Sequence, residues 1–404
     1  MYSFYYTFLS NDIIQYHYLM PLANDSVHIL IAGGGYAGIQ TALGLEKLLK
    51  KNYSKIQLID KNVYHTLLPS LPEILSKRGF SIIYYKDIIQ GKKIDFVQAN
   101  IIDVDLDINL VFTTNPPYQL RYDFLVLSLG SRPFLPNIPG LREYSFQFNS
   151  VDSAKKIAER LSSKDMIDPT ENTNIIIGGG GATGVEVAGE IASLIRKKGR
   201  QYSNIKVILI SPNLLVGFPT RTTNWVRAYL EALNVELLLG DEYYITEVKS
   251  DLVCLKNGRT IRTTMLIWAG GVTALPLPQQ IGLKTGYNGR VVVNKFLQAE
   301  GRKNVFVLGD AALILNNKGY PVPTTAYFAE QHGKIAAQNI YSMIKEQGLT
   351  MKEYKVENPL LDNFAISIGS DLAVSRIRGL DLYGYSASKV KKLIKMKYLK
   401  DIKK

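Results

Sequence analysis

The chain is 404 residues long, which exceeds one ordinary domain because a single hydrophobic core stops growing at roughly 250 to 300 residues. Hydrophobic residues make up 46% of it, a composition that excludes a mainly disordered protein. The formal net charge is +13, and residues 386–404 supply +7 of it through eight lysines and one acid. The excess charge lies in one tail that has no nucleic-acid recognition motif, so we expect no nucleic-acid partner.

The N-terminal 24 residues are interpreted as an extension before the first strand. No Lys or Arg occurs before Lys47, so the positively charged start of a secretory signal is missing. No apolar run approaches the roughly 20 residues that a transmembrane helix needs. We therefore expect a cytoplasmic protein.

A strand, a glycine-rich turn and a helical pattern follow one another at the start of the first unit. The strand is Val27–Ala32, and the glycines of the turn are Gly33, Gly35 and Gly38. Such glycines allow a tight turn, a close approach of the backbone to a pyrophosphate, and close packing of helix on strand. The next strand, residues 55–59, ends at Asp60, where a carboxylate binds the ribose of an adenosine. This unit predicts a dinucleotide site.

The same pattern recurs in the second unit. An apolar strand, residues 174–177, leads into a turn whose glycines are Gly179, Gly181 and Gly184. The following strand, residues 206–210, ends before Ser211, which stands where the first unit has Asp60. The ribose-binding acid is missing, and no Arg directly beside Ser211 offers a site for a 2′-phosphate. We predict a nicotinamide site with NADH and NADPH both open; a unit that has lost its ligand and only packs is the alternative.

The order of these units predicts an α/β protein with two Rossmann-like dinucleotide-binding domains, the NAD(P)H domain inserted in the FAD domain. Residues 123–139 lead out of the first unit, and residues 304–312 return to it through a strand that ends in Gly309 and Asp310. A short C-terminal α/β region follows. The expected boundaries are 1–24 for the N-terminal extension, 25–145 and 288–345 for the FAD domain, 146–287 for the NAD(P)H domain, and 346–404 for the C-terminal region.

Taken together, the motifs resemble the two-dinucleotide-binding-domain flavoproteins and, within them, the type II NADH:quinone oxidoreductases. The resemblance runs from about residue 27 to residue 345. Its segments are residues 31–38, 64–74, 122–131, 175–190, 266–272, 305–312 and 326–333. The stretches GVEVAGE, IWAGG and AYFAEQ favour the quinone reductases in particular.

The resemblance implies which residues bind FAD and the nicotinamide cofactor. Asp310 would bind the ribityl chain of FAD, or else cap a turn. The helix that starts near Thr325 would direct its N-terminus at the pyrimidine edge of the flavin, which favours an anionic reduced flavin. Besides the turn glycines and Asp60, the residues expected at the two cofactors are Tyr36, Ala37, Lys61, Gly130, Thr183, Gly270, Gly309 and Ala326.

Three residues are candidates for a catalytic role by the same resemblance. Glu186 resembles a family glutamate that lies near the nicotinamide and the flavin, or it complements the dipole of its own helix. The family's quinone site has the pattern Ala-Gln-x-x-x-Gln, which here is Ala326, Tyr327 and, at the last position, Gln331. Gln331 keeps the pattern, whereas Tyr327 departs from it and would stack on a quinone or simply pack. No metal site is expected.

The implied activity is hydride transfer from NADH or NADPH to FAD, followed by transfer of two electrons to a membrane quinone in a respiratory chain, without proton pumping. The protein would associate peripherally with the inner face of the cell membrane, and the sequence leaves a homodimer open. In the tail, apolar residues recur at helical spacing between the lysines: Val390, Leu393, Ile394, Tyr398 and Ile402. This pattern is typical of a basic amphipathic helix on an anionic lipid surface, and equally of a surface helix docked on the core.

The same residues bear on the other activities found among related flavoproteins. The sole cysteine, Cys254, cannot form a redox pair, which argues against a sulfide:quinone oxidoreductase or a disulfide reductase. A soluble reductase that passes electrons to ferredoxin shares these motifs, and a basic surface suits an acidic partner. A non-catalytic FAD-binding redox sensor is the other alternative, because Ser211 and Tyr327 depart from the expected patterns.

Overall fold

The structure is a computed structural model that describes residues 26–49, 54–163, 173–202, 204–345, 350–356 and 363–404. The predicted N-terminal extension, residues 1–24, lies outside the described residues. Short strands and helices alternate along the part of the chain that is described, as an α/β fold requires.

Most strands are three to seven residues long and most of the long helices follow a parallel strand. The strands in chain order are β1 (Val27–Ala32), β2 (Ser54–Asp60), β3 (Tyr64–Thr66), β4 (Ile82–Tyr84), β5 (Asp95–Gln98), β6 (Ile101–Asp105), β7 (Leu110–Thr113), β8 (Gln119–Arg121), β9 (Phe124–Leu127), β10 (Ser131–Pro133), β11 (Ser145–Gln147), β12 (Thr173–Gly178), β13 (Ile205–Ser211), β14 (Val235–Leu239), β15 (Ile245–Val248), β16 (Leu252–Leu255), β17 (Thr260–Arg262), β18 (Met265–Trp268), β19 (Val272–Ala274), β20 (Val291–Val292), β21 (Val305–Val307), β22 (Ala312–Leu313), β23 (Asn363–Ile368), β24 (Leu372–Ile377) and β25 (Leu380–Gly384). The helices are α1 (Tyr36–Leu49), α2 (Pro72–Leu75), α3 (Tyr85–Ile89), α4 (Leu141–Tyr144), α5 (Val151–Leu161), α6 (Ala182–Lys198), α7 (Thr220–Ala232), α8 (Leu277–Gln280), α9 (Ala326–Lys345) and α10 (Tyr385–Lys403).

The first parallel sheet has the strand order β21-β9-β1-β2-β5. Its central strand β1 is apolar on both faces and buried over its last four residues, as expected for a parallel strand covered on both sides. Helix α1 packs against α9, where a side chain at Gly333 would overlap the Ala37 carbonyl oxygen. Strand β21 comes from late in the chain, so the sheet is completed only after the second unit.

The second parallel sheet has the strand order β11-β18-β12-β13-β14. Its β12-turn-α6-β13 unit repeats the β1-turn-α1-β2 unit of the first sheet, and the antiparallel pair β10-β19 connects the two units. The predicted fold class, two Rossmann-like units with the second inserted in the first, is confirmed. The domain boundaries stay predictions; β11, which begins at Ser145, belongs to the second sheet.

The C-terminal residues 363–404 form the antiparallel sheet β23-β24-β25 and helix α10. This sheet joins the core of the second unit through Ile366, Ile368 and Val374. The far end of α10 instead joins the core of the first unit through Tyr398 and Ile402. The C-terminal region therefore bridges the two dinucleotide units.

Helix α10 buries only part of the apolar stripe that the sequence shows. Tyr398 and Ile402 are buried, whereas Leu393 is 58% exposed and Ile394 is 49% exposed. The helix is docked on the core by one face, and it presents apolar side chains and lysines to solvent on another. No helix in the described ranges is long and apolar enough to cross a membrane.

Candidate functional site

One cavity of about 2870 Å³ extends across the carboxyl ends of both parallel sheets and reaches α10. Ligands of open α/β sheets bind at this edge, and a typical small-molecule pocket is only about 300 to 1,000 Å³. The predicted site residues that line the cavity are Gly33, Gly35, Tyr36, Ala37, Asp60, Lys61, Gly130, Gly179, Gly181, Thr183, Glu186, Gly270, Gly309, Asp310, Ala326, Tyr327 and Gln331. Gly38 and Gly184 do not line it.

The first glycine turn is shaped by three different steric demands. Gly33 has a φ of +102°, and a side chain there would overlap the Ser128 carbonyl oxygen. A side chain at Gly38 would overlap the Gly33 carbonyl oxygen, which explains why Gly38 packs inside and does not line the cavity. At Gly35 a Cβ would meet no atom within 4 Å, so this backbone faces open space that suits a pyrophosphate at the start of α1.

Asp60 is fixed to the same turn. Its carboxylate accepts hydrogen bonds from the Gly34 N–H at 2.7 Å and from the Asn62 N–H at 2.8 Å. Burial raises the pKa of Asp60, and these backbone hydrogen bonds oppose that rise. The arrangement places an oriented acid beside the glycine turn, as the ribose of an adenosine requires.

The second turn repeats the first in detail. Gly179 has a φ of +126°, a side chain at Gly184 would overlap the Gly179 carbonyl oxygen, and Gly181 faces open space. The Gly179 N–H donates to the Ile210 carbonyl at 2.9 Å, as the Gly33 N–H donates to the Ile59 carbonyl at 2.8 Å. The residue after Ile210 is Ser211, so the structural equivalent of Asp60 is a serine.

Asp310 lies at the point where the chain has returned to the first sheet. Its carboxylate accepts a hydrogen bond of 2.7 Å from the Ser131 hydroxyl. Burial raises the pKa of Asp310, whereas the Ser131 hydrogen bond and the Arg290 guanidinium lower it. Arg290 also donates to the Ala312 carbonyl at 2.8 Å, which ties down the chain directly after Asp310.

A buried histidine of α9 holds the residue before Asp310. The Gly309 N–H donates to His332 Nδ1 at 3.1 Å, so the proton of the neutral ring sits on Nε2. Burial lowers the pKa of His332 to about 3, and its ring packs edge-on against Tyr354. Neither His332 nor Arg290 could be recognised from the sequence, because no local sequence pattern indicates that either side chain is buried.

Glu186 is held by two parts of the C-terminal region. One carboxylate oxygen accepts hydrogen bonds from the Ser367 N–H at 2.9 Å and from the Ser367 hydroxyl at 3.1 Å. The same oxygen forms an ion pair with the Lys391 ammonium of α10, and both side chains are largely buried. In the sequence Lys391 is one of eight similar lysines in the tail. Only the docking of α10 brings it to Glu186.

A second polar chain connects α10 with the first glycine turn. His65 Nδ1 lies 3.0 Å from the Gly34 carbonyl oxygen, which only accepts, so Nδ1 carries the proton. His65 Nε2 therefore accepts from the Tyr398 hydroxyl, also at 3.0 Å. Burial lowers the pKa of His65 to about 4, which keeps the ring neutral at pH 7. Tyr36 packs on both rings, with centroids 4.8 Å from His65 and 4.7 Å from Tyr398.

Tyr327 and Gln331 lie one turn apart near the start of α9. Tyr327 is 43% exposed, Gln331 is half-buried, and both line the cavity. Glu330 lines it as well, and burial raises the pKa of Glu330 to about 7. This end of the cavity thus holds a phenol, an amide and a carboxyl group close to α10.

Comparison with known proteins gives the same family as the motifs. The sequence pattern of the family described as Pyridine nucleotide-disulphide oxidoreductase matches residues 27–333. The Type II NADH:quinone oxidoreductase of Staphylococcus saprophyticus is 30% identical over 92% of this chain and 95% of its own length. The chain belongs to the type II NADH:quinone oxidoreductase family. The Staphylococcus aureus member is 29% identical over 92% of this chain and 95% of its own length.

Solved structures show a likeness in fold. NDH2 from Plasmodium falciparum in complex with NADH has a TM-score of 0.79 at 19% identity, over 92% of this chain and 94% of that one. The sulfide:quinone oxidoreductase from Aquifex aeolicus has a TM-score of 0.77 at 20% identity, over 93% of this chain and 91% of that one. The family match itself confirms the predicted class of enzyme, a flavin-dependent oxidoreductase.

The buried His65 predicts a pH dependence of stability. The folded chain keeps His65 neutral down to about pH 4, whereas an unfolded chain protonates it near its ordinary pKa of 6.5. Stability should therefore fall as the pH drops from 6.5 to 4, and His65 would account for roughly 3 kcal/mol of that fall. Calorimetric melting temperatures should fall less steeply with decreasing pH for His65→Gln in this pH window.

The matched control is His28→Gln, at a partly exposed position, which should keep the wild-type slope of melting temperature against pH. A wild-type slope in His65→Gln would contradict the account.

Proposed function

We propose that the protein is an FAD-dependent NAD(P)H:quinone oxidoreductase whose FAD and nicotinamide sites share one cavity. The observation that carries the proposal is that both glycine turns, Asp310 and helix α10 line the same space. A flavin and a nicotinamide ring bound there from opposite units would meet between the two sheets. No catalytic side chain is needed for a hydride to pass between stacked rings, because orientation lowers the barrier by several kcal/mol.

FAD would be held by the first unit. The turn at Gly35 and the N-terminus of α1 would bind the pyrophosphate, Asp60 would bind the ribose, and Asp310 would bind the ribityl chain. Bound FAD supplies acceptance of a hydride and release of two electrons. His332 and Arg290 would act by holding the backbone on either side of Asp310.

The acceptor end of the cavity suits a quinone. Tyr327 and Gln331 would offer polar groups to a quinone oxygen, and the Glu186–Lys391 pair lines the same cavity. Ile394 and Met396 of α10 line the same cavity and are about half exposed, so α10 contributes apolar side chains to it beside its lysines. A lipophilic ring would enter past apolar side chains and meet hydrogen-bonding groups inside.

Helix α10 would also hold the protein on the inner face of the cell membrane. Its exposed apolar side chains Leu393, Ile394 and Met396 lie among exposed lysines, including Lys389 and Lys392. A helix of this kind binds an anionic lipid surface through both its apolar area and its charge. A peripheral position would put the cavity mouth next to the membrane quinone.

The test of the activity is steady-state oxidation of NADH by the FAD-loaded protein with a soluble quinone. We expect turnover, with parallel lines in double-reciprocal plots, because the oxidised nucleotide would leave the reduced enzyme before the quinone binds. A ferredoxin-type iron-sulfur protein serves as the competing acceptor. Turnover with that protein and none with quinones would refute the proposed acceptor.

Replacement of Lys391 by Met should affect both stability and quinone turnover. The change leaves a buried carboxylate with only its Ser367 hydrogen bonds, and breaking a buried pair costs about 3 to 5 kcal/mol when it is fully desolvated. We expect a lower melting temperature and a turnover number with quinone reduced by about tenfold, which is about 1.4 kcal/mol of barrier. The exposed Lys389→Met is the matched control and should resemble wild type. Equal behaviour of the two variants would remove Lys391 from the site.

Lipid binding should depend on the exposed lysines of α10. In co-sedimentation with phosphatidylglycerol vesicles, Lys389→Gln and Lys392→Gln together should weaken binding roughly tenfold or more, since each lysine near the surface contributes about 1 kcal/mol. Lys256→Gln, in the turn between β16 and β17, is the control and should bind as wild type does. Binding that is unchanged in the double variant would place the lipid contact elsewhere.

A further inference from the structure

The two dinucleotide turns share a backbone hydrogen bond between turn and strand, which identifies the equivalent residues of the two units. Gly33 N–H to Ile59 carbonyl corresponds to Gly179 N–H to Ile210 carbonyl. One residue further along the strand stand Asp60 in the first unit and Ser211 in the second. One residue further along the turn stand Gly34 and Gly180.

The equivalent residues at the strand ends differ in charge, since Asp60 carries a carboxylate and Ser211 a neutral hydroxyl. In the first unit the Asp60 carboxylate accepts a hydrogen bond of 2.7 Å from the Gly34 N–H. In the second unit a Cβ at Gly180 would lie 2.9 Å from Ser211 Oγ, so the two residues are again neighbours. Among the described residues the Gly180 N–H donates to no other backbone group, and a Cβ at Gly180 would also lie 2.2 Å from the Asn213 carbonyl oxygen. The position that holds a negatively charged acceptor in the first unit therefore holds a neutral hydroxyl in the second.

The segment after β13 adds no acid to this position. The Leu215 N–H donates to the Gly180 carbonyl at 2.8 Å, which folds the segment back over the glycine turn. The described residues that line the cavity around Ser211 are all uncharged: Pro212, Asn213, Leu215, Val216 and Tyr244. The two acids that follow β14, Asp241 and Glu242, are exposed and do not line the cavity. A nucleotide ribose at Ser211 would therefore meet uncharged cavity-lining residues.

This surface bears on the choice between NADH and NADPH. An acid at the end of the second strand accepts from the ribose 2′-hydroxyl of NADH and repels the 2′-phosphate of NADPH. With Ser211 there is no such repulsion, and the Ser211 hydroxyl and the Gly180 N–H can donate to phosphate oxygens. Resting on the proposed function, we infer that this protein takes NADPH as well as NADH, and that Ser211 is the residue that permits it.

The experiment is anaerobic rapid mixing of the full-length FAD-loaded protein with NADH or NADPH, followed through bleaching of the flavin absorbance. Bleaching reports the reduction of the flavin by the nucleotide before any electron acceptor is added. The result therefore does not depend on whether the acceptor is a quinone. For wild type we expect second-order reduction constants for the two nucleotides within about tenfold of each other. Ser211→Asp should lower the constant for NADPH by at least about tenfold and leave that for NADH within about threefold. Ser211→Ala removes the hydroxyl donor but adds no charge, so it should lower the constant for NADPH by less than Ser211→Asp does.

Three results would overturn the inference, and they differ in what else they overturn. A wild-type constant for NADPH more than about tenfold below that for NADH would refute it and leave the proposed function intact. A ratio that Ser211→Asp, folded and flavin-loaded, does not change would remove Ser211 as the determinant. Bleaching with neither nucleotide would refute the proposed function together with the inference.

Discussion

The docking of α10 across both dinucleotide units is the constraint on which the rest of the site depends. Lys391 pairs with Glu186 in the second unit, and Tyr398 bonds to His65, which in turn bonds to Gly34 in the turn of the first. Besides these contacts the two units meet through the short β10-β19 pair, the packing of α2 against α5 and α6, and the ion pair of Arg78 with Glu190. Through its own contacts, α10 closes the space in which both cofactors are expected.

The same helix divides its residues between two tasks. The face with Tyr398 and Ile402 belongs to the core of the first unit, while Leu393 and Ile394 remain exposed beside the cavity mouth. Buried polar groups on the docked face are paired, as they must be in a low-dielectric interior. Because this pairing fixes the helix, its outer face is available for a membrane surface and for the entry of a lipophilic acceptor.

The residues of each strand-turn-helix unit could be predicted from local sequence pattern, whereas residues that contact distant parts of the chain could not. Spacing alone identified the residues that lie within one strand-turn-helix unit: the glycines at positions 33 and 179, Asp60, and Ser211 in place of an acid. Residues such as His65, Lys391 and His332 take their roles from partners distant in the chain, and no period or motif marks them. The tail shows the same limit: its stripe predicted an amphipathic helix but not which residues would be buried.

The central claim is that electrons entering at the second unit leave through the cavity end at α10 to a quinone. The most direct measurement is to reduce the FAD-loaded protein anaerobically with NADH and then add a soluble quinone while the flavin absorbance is recorded. The account predicts that the absorbance lost on reduction returns when the quinone is added, and that it returns more slowly in Lys391→Met. Flavin that stays reduced in the presence of quinone, yet is reoxidised by an iron-sulfur protein, would contradict it.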